Sequence, residues 1–522
     1  MSIVSKSSVG TDPTIAEPPR LSRDVEAGEP GKVEVSGKEA VQDAPTPRDE
    51  DGVAIIKGVP LVGLKGPDDP LSPLNLSLAR RWTYVLIVSS CGFCVTSCSS
   101  MISQTYPAVE REFNVSREVI TLGLSLFVLS LGLFPLIVAP LSQWYGRSII
   151  YYVGFSCFIC FQAGVAASQN AATLIICRFF AGAGGAAFLS VAGGTVADLF
   201  RSAEIAFPMT IFSASTFLGP VFGPVISGFI NQNTNWRVTW YVLLGWACAQ
   251  LAALLLFVRE TLLPVVLKQR AKALRKAGRT DVRAPIELDN RSIASVLAVS
   301  CTQPFELLVL EPMVLALCTL TGLLLAILYC FFGSYGIVYS DAYGFDTQTI
   351  GLTFLPIGVG VVIGVATQPY WSRKYARRTQ ELGRRPPPEE QLRKGLWGAV
   401  LCPVSLFWFA WTVRPSVHWI VPMIATVPFG TGMLFVFGSV FAYLTDAFRP
   451  AAASSMAANS ALRSVLAAAF PLFTTQMFHK LGNAWALTLC AFLCLALAPF
   501  PFIFFMYGHR LRKGSKFANQ ED

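Results

Sequence analysis

Twelve stretches of about twenty mainly apolar residues recur along this 522-residue chain, each bounded by a turn or a cluster of charge. A helix of that length matches the hydrocarbon thickness of a bilayer, about 30 Å. Lipid offers backbone groups no water, so each run must close its own hydrogen bonds as a helix. The expected spans lie near 83–104, 119–141, 149–168, 172–199, 209–230 and 237–258, then 313–336, 350–371, 396–413, 419–445, 454–478 and 485–507. Only 14% of residues are charged, against roughly 25% in soluble domains. The chain reads as an all-α polytopic membrane protein embedded in a lipid bilayer.

The spans divide the chain into parts. Residues 1–80 are rich in Pro, Gly, Ser and charge, and they predict a disordered tail without a cleavable signal peptide. Residues 81–258 form a first six-helix bundle, 259–312 a polar linker, 313–507 a second six-helix bundle and 508–522 a short tail. Lys and Arg concentrate in the linker, in 373–394 and in the last segment. That asymmetry places both termini in the cytosol. It also accounts for the net charge of +9 without nucleic acid. The plasma membrane is the expected location, with a vacuolar or other internal membrane as the alternative. Asn114-Val115-Ser116, in the first outer loop, is a glycosylation sequon. The thirteen cysteines are scattered among apolar segments and the three histidines sit at span ends, so no metal site or cofactor is expected.

The fifth span carries Gly219-Pro220-Val221-Phe222-Gly223-Pro224-Val225-Ile226-Ser227-Gly228. Two prolines four residues apart each remove a donor and crowd the preceding turn, which predicts a bent helix. Gly219 and Gly223 have the small-xxx-small spacing that admits a second backbone. Two readings fit, a moving interface between bundles and a tight packing seam.

An internal repeat supports the six-plus-six plan. Span 4 ends Thr195-Val196-Ala197-Asp198-Leu199-Phe200-Arg201, and span 10 ends Tyr443-Leu444-Thr445-Asp446-Ala447-Phe448-Arg449. In this register Gly182 and Gly184 align with Gly430 and Gly432, whereas Arg178 aligns with Thr426. An intramembrane Arg is costly and faces a cavity or a partner. Arg178 is therefore a candidate for proton coupling or for anchoring an anionic group; a purely structural Arg bonded to helix carbonyls is the other reading. Asn459 and Arg463 on span 11 form a similar pair closer to the inner face. Gly146 and Arg147, in the turn after span 2, could reach Asp198 across the gap between bundles and hold the cytosolic side closed, with Asp446 as the repeat of Asp198. Ser97, Ser100 and Gln104 on span 1, Tyr329, Tyr335 and Tyr339 on span 7, and Phe127, Phe354 and Trp408 are candidate cavity-lining residues for an apolar or amphiphilic solute. No nucleotide-binding signature, catalytic triad or paired intramembrane carboxylates occur, which points away from an enzyme and from ATP as the energy source.

With these residues in view, the chain resembles the major facilitator superfamily, specifically the twelve-helix drug:proton antiporter branch common in fungi. Gly219-x-x-x-Gly223-Pro224-x-x-Ser227-Gly228 is similar to the branch's fifth-helix antiporter motif, with Ser227 in place of a Gly. Ala139-Pro140-Leu141-Ser142-Gln143-Trp144-Tyr145-Gly146-Arg147 matches the loop motif between helices 2 and 3, with Gln143 where the family usually has an acid. Arg178-x-x-x-Gly182-x-Gly184 matches the fourth-helix motif. Asn235-Trp236-Arg237 and Arg259-Glu260-Thr261 also look fungal. The resemblance implies two bundles rocking about a midplane site, with Gly219, Pro220, Gly223, Pro224 and Gly228 as the hinge seam and Arg178 sensing protonation.

The expected function is export of a small-molecule substrate (secondary metabolites, drugs or amphiphiles such as glycolipids) by a monomer using protons as the coupling ion. The alternative is transport of a small organic anion, motivated by Arg178 and Arg463. Polyamine export and a non-transporting sensor are weaker alternatives.

Overall fold

The computed structural model describes residues 49, 52–56, 59–66, 68–201, 204–288 and 292–518. The first six spans are Leu78–Phe113, the bent pair Arg117–Leu133 and Pro135–Tyr145, then Arg147–Ala166, Ala171–Leu199, Ala206–Asn233 and Trp236–Phe257. The second six are Pro312–Tyr343, Thr347–Leu382, Pro388–Thr412, Ile420–Ala447, Arg449–Leu481 and Asn483–Arg512. Local chemistry sets several of their ends. Asn170 accepts the Thr173 amide at 2.8 Å and Asp346 accepts that of Thr349 at 2.9 Å, each capping a helix start. Gly344, at φ 65°, ends span 7 in the left-handed conformation.

The prolines of spans 5 and 2 act differently on helix continuity. Span 5 runs as one unbroken helix through Pro220 and Pro224. Span 2 breaks by 42° at Phe134, where Pro135 cannot donate to the preceding turn.

Span 4 and span 10 occupy equivalent places in the two halves. A Cβ at Gly182 would run into Phe127 of span 2, and one at Gly430 into Ile357 of span 8. Gly184 likewise backs onto Gly154 of span 3, and Gly432 onto Cys402 of span 9. The small-residue seam visible in the sequence is thus the same packing used twice.

Three expectations about the segments outside the spans need correction. First, the N-terminal tail was expected to be disordered, yet part of it folds. Strands β1 (Val53–Ile56) and β2 (Val59–Val62) pair antiparallel, Val53 facing Val62. The β2 edge continues onto the linker, Val62 N–H donating to Arg283 O at 2.9 Å and Arg283 N–H to Pro60 O at 3.0 Å. Val53 and Val62 share a small core with Leu267, Ala271, Val282 and Ala284. A hairpin alone buries too little to persist, and the linker supplies the missing half. The stretch 1–48 of the expected tail lies outside the described residues.

Second, the linker 259–312 is not uniformly polar. It holds a helix at Leu263–Lys276 and an apolar one at Ile293–Leu310, itself long and hydrophobic enough to count as a candidate span. Third, the C-terminal segment is docked. Arg512 pairs with Glu389 through Nε at 2.9 Å and Nη2 at 3.2 Å, and the Ser515 hydroxyl donates to Glu311 at 2.6 Å. The end of the bundle bearing these segments is called the terminal face below, and the opposite end the distal face.

Candidate transport pathway

The glycine–proline stretch of span 5 faces two partners. A Cβ at Gly219 would overlap the Thr96 hydroxyl, and one at Gly223 the Ser100 hydroxyl, both on span 1 of the same half. Nearer the distal face the seam crosses between halves. A Cβ at Gly228 would lie 2.9 Å from Thr347 O, and one at Gly351 would lie 2.6 Å from Pro224 O. On the terminal side of both zones Phe217 meets Phe437 edge-to-face at 5.0 Å. Pro220 is buried within the seam.

Other contacts join the halves at mid-depth. The Ser99 and Tyr329 hydroxyls are 2.8 Å apart, and a Cβ at Gly132 of span 2 would overlap Ser464 of span 11. Toward the terminal face, Pro135–Tyr145 turns away at the span 2 bend and packs with Ile293–Leu310, which also packs on span 11. The distal side is held shut by close backbone contact, and the terminal side is bridged by a separate helix.

Arg178 is fully buried. Its Nε donates to Gly123 O at 3.0 Å, and its Nη2 to Cys98 O and Ser99 O at 3.3 Å each. Phe127 and Trp240 flank the guanidinium at 4.8 and 5.1 Å. The contacts are carbonyls, the Cys98 thiol at 3.9 Å and aromatic faces, with no carboxylate in ion-pair range among the described residues, so the geometry is that of an Arg tying spans 1, 2 and 4 together.

Arg463 is placed differently. Its guanidinium lies 5.5 Å from the Phe437 ring and 5.6 Å from the Phe441 ring, and its buried Nε has no hydrogen-bond partner. Because Phe437 also touches Phe217, this cation sits beside the seam between halves. Neighbouring Asn459 donates to the Thr321 hydroxyl at 2.7 Å. Tyr335 is packed inside the second half, with Phe354 at 4.5 Å and Phe331 at 4.8 Å between ring centres. Gln104 is buried in the turn at the distal end of span 1. Of the other cavity candidates, Phe127, Phe354 and Tyr339 are buried, whereas Trp408 is 42% exposed on the outside of span 9.

At the terminal face, Arg147 Nε pairs with Asp198 at 3.2 Å and its Nη1 donates to the Ser142 hydroxyl at 2.8 Å. The expectation that this pair bridges the two bundles is corrected, since both residues belong to the first half. Asp446 is held by Arg449 of its own chain turn at 2.7 Å. Glu260 completes the first-half cluster, a residue whose role the sequence left unread. Its carboxylate accepts the amides of Arg147 at 2.9 Å and Ser148 at 3.1 Å, capping span 3, and those of Thr261 and Leu262 at 3.1 and 2.9 Å. Gly146 makes this possible. Its φ is 99°, and a Cβ there would overlap the Glu260 carboxylate. The signal was Arg259-Glu260-Thr261, an acid placed just past a span end.

The distal face has its own latch in the first half. Asn235 caps span 6, the Trp236 Nε1–H donates to Glu112 at 2.6 Å, and Arg237 bonds Glu112 and the Ser168 carbonyl. Asn114 is exposed there, at φ 50° between Tyr106–Phe113 and span 2.

Among the described residues the buried carboxylates Asp69, Glu311 and Glu389 all lie at the terminal face, and none sits at mid-span. The polar groups at depth are hydroxyls, amides and the two arginines.

A family model described as Major Facilitator Superfamily matches residues 88–471. The chain is 44% identical over 466 residues to the efflux pump atB of Aspergillus terreus, covering 88% of this chain and 90% of that one. It is 40% identical to the MFS-type efflux pump MFS2 of Trichophyton rubrum, covering 87% and 77%. Among solved structures, the human organic anion transporter MFSD10 (TETRAN) superposes with a TM-score of 0.57 at 15% identity, covering 81% of this chain and 99% of that one. The last likeness concerns the fold alone.

Proposed function

The chain belongs to the major facilitator superfamily, and from that membership we propose that it is a secondary transporter that exports small organic molecules by alternating access, driven by protons. The observation that carries this reading is the similarity to efflux pumps along nearly the whole length, at 44% and 40% identity. The seam supports it. Backbone contact at Pro224, Gly228 and Gly351 lets two rigid halves seal one face while the other stays free to open. Both termini face the cytosol in this reading, and the membrane is the plasma membrane. The substrates are secondary metabolites, drugs or amphiphiles, taken from the cytosol by a monomer. Gly219 and Gly223 keep the first half rigid, while Arg147, Asp198 and Glu260 order its cytosolic rim. Asn114 is the glycosylation candidate on the external face.

A second reading has one specific observation in its favour. Arg463 is a cation beside the seam whose Nε lacks a partner, the arrangement expected of an anchor for an organic carboxylate.

The test is deletion of the gene in its host, with small molecules profiled inside and outside the cells and tolerance to a drug panel measured. Export predicts a compound that accumulates inside and disappears from the medium. Depletion inside the cells would overturn it. If the exported compound is a carboxylate and R463Q abolishes its transport, the anion reading holds; unchanged transport removes it.

A further inference from the structure

We propose that Ile293–Leu310 is a membrane-surface helix that lies along the terminal face, bridges the bent segment of span 2 and span 11, and presents its exposed apolar ridge to the lipid leaflet on that side.

By hydropathy alone the helix qualifies as a span, so its placement has to be argued from its two ends. Upstream, Arg283 is hydrogen-bonded to β2, and Val282 and Ala284 are buried with Val53 and Val62 of the hairpin. That hairpin packs on Leu267 and Ala271 of the helix that follows the end of span 6 at Phe257, so this end of the linker is at the terminal face. Downstream, Leu310 is separated from span 7 only by Glu311, whose carboxylate accepts from Ser515 of the C-terminal segment. Both ends are therefore anchored at the same face. The helix is about 27 Å long, whereas the backbone from Leu288 to Ile293 reaches at most about 18 Å. A crossing orientation cannot satisfy both anchors. Removing this helix from the candidates and counting the bent pair as one span leaves twelve.

Its surroundings indicate what it covers. The helix packs on Pro135–Tyr145 of the first half and on span 11 of the second. Ser454 of span 11 donates to Gln303 at 2.7 Å, and Leu307 is fully buried in that contact zone. Spans 2 and 11 meet directly at Gly132 and Ser464. Past that point span 2 bends by 42°, and this helix packs on both the bent segment and span 11, spanning the two halves on that flank.

The side turned away from these two partners is exposed and carries apolar residues. Phe305 is 49% exposed and Val309 81%, and with exposed Ala294 and Ala298 they form one ridge at helical spacing. A stripe of Ser295, Thr302 and Glu306 runs beside the ridge, suited to headgroups at the same depth. The preceding helix exposes Lys268, Lys272 and Lys276 at a spacing of four, positive charge of the kind anionic headgroups attract. The inference holds whichever solute is carried and in whichever direction.

The experiment uses full-length protein in lipid vesicles of phosphatidylcholine with one-fifth phosphatidylserine. V309C and A277C are introduced separately, and alkylation by a membrane-impermeant maleimide is followed peptide by peptide. Ala277 is exposed at the end of the linker helix and reports water access at the terminal face. The expected result is labelling of V309C at least tenfold slower than A277C, equalised after dissolution in SDS, with both variants melting like the parent. Labelling of V309C within twofold of A277C would overturn the proposal, because the ridge would then be in water. Protection of V309C together with its oxidation to a covalent dimer at high lipid excess would also overturn it, because a second copy would cover the ridge. In sided vesicles, A277C and K516C must label from the same side, and labelling from opposite sides would mean that the helix crosses the bilayer.

Discussion

Ser99 bonds Tyr329 across the two halves, hydroxyl to hydroxyl at 2.8 Å, while its own carbonyl accepts from Arg178 at 3.3 Å. One residue of span 1 is thereby fixed from behind by a buried cation and in front by the opposite half. Tyr329→Phe removes the bond and keeps the ring, which packs edge-to-face on Phe332 at 5.1 Å. A neutral hydrogen bond of this kind contributes about 1 kcal/mol net, a roughly fivefold shift in the balance between the two faces. Hydrogen exchange across 95–105 is expected to rise in this variant with little change in melting temperature. Unchanged exchange would mean that the contact does not hold the distal side shut.

The two deep arginines are expected to respond differently to the same substitution. Arg178 serves three carbonyls on two helices, a fork that a Lys ammonium cannot reproduce. Arg178→Lys should therefore destabilise the fold, by about 3 kcal/mol if the new cation is left poorly bonded, seen as a lower melting temperature in detergent. Arg463 makes ring contacts and has a partnerless Nε. Arg463→Lys should leave the melting temperature within error and change transport. The opposite assignment of effects would reverse the roles given to these residues.

Gly146→Ala places a methyl group against the Glu260 carboxylate and asks a non-glycine residue to hold φ 99°. Strain of this kind costs on the order of 1–3 kcal/mol, and relieving it displaces the cap of span 3 and with it Arg147. The variant should melt lower and transport poorly. Gly245→Ala is the matched control, because nothing lies within 4 Å of its added methyl, and Ala is the better helix former by about 1 kcal/mol. It should melt at or above the parent.

These contacts also mark how far the sequence could be read. The twelve spans were legible because length and hydropathy alone decide them, and the repeat was legible because Gly182 and Gly430 do the same packing job. Arg147 and Asp198 do pair, but not across the gap between bundles, and the span boundaries already place both in residues 81–258. The span 5 prolines lie inside a continuous helix, whereas the 42° break falls in span 2 at Pro135. The overall composition of 1–80 conceals the hairpin, although Val53-Ala54-Ile55-Ile56 and Val59-Pro60-Leu61-Val62 are two apolar runs only two residues apart in the sequence. The same averaging hid Ile293–Leu310 behind the lysines and arginines that precede it. Arg259-Glu260-Thr261 marks an acid past a span end, but spacing does not name the span 3 amides it caps, since Arg147 and Ser148 lie more than a hundred residues away.

The hairpin clamp should come apart in acid. Asp69 lies outside the spans and pairs with Arg270 at 3.1 Å. Burial pushes its carboxyl pKa up, but the backbone amides of Lys65 and Leu71 and the Arg270 guanidinium outweigh that and hold it below the ordinary value. A group whose folded pKa is depressed contributes stability above its unfolded pKa, about 3.9 for Asp, and loses it as pH falls through the folded value. The clamp should therefore be intact from neutral pH down to about 4 and weaken only below that. Pulsed hydrogen exchange over 53–62, corrected for intrinsic rates, should show protection that falls away in that acid window. Asp69→Asn removes the charge at every pH while leaving Arg270 half-buried, so its protection should already be low at pH 7 and flat with pH. Equal protection of Asp69→Asn and the parent at pH 7 would show that the apolar contacts of Val53 and Val62 with Leu267 hold the clamp without the ion pair.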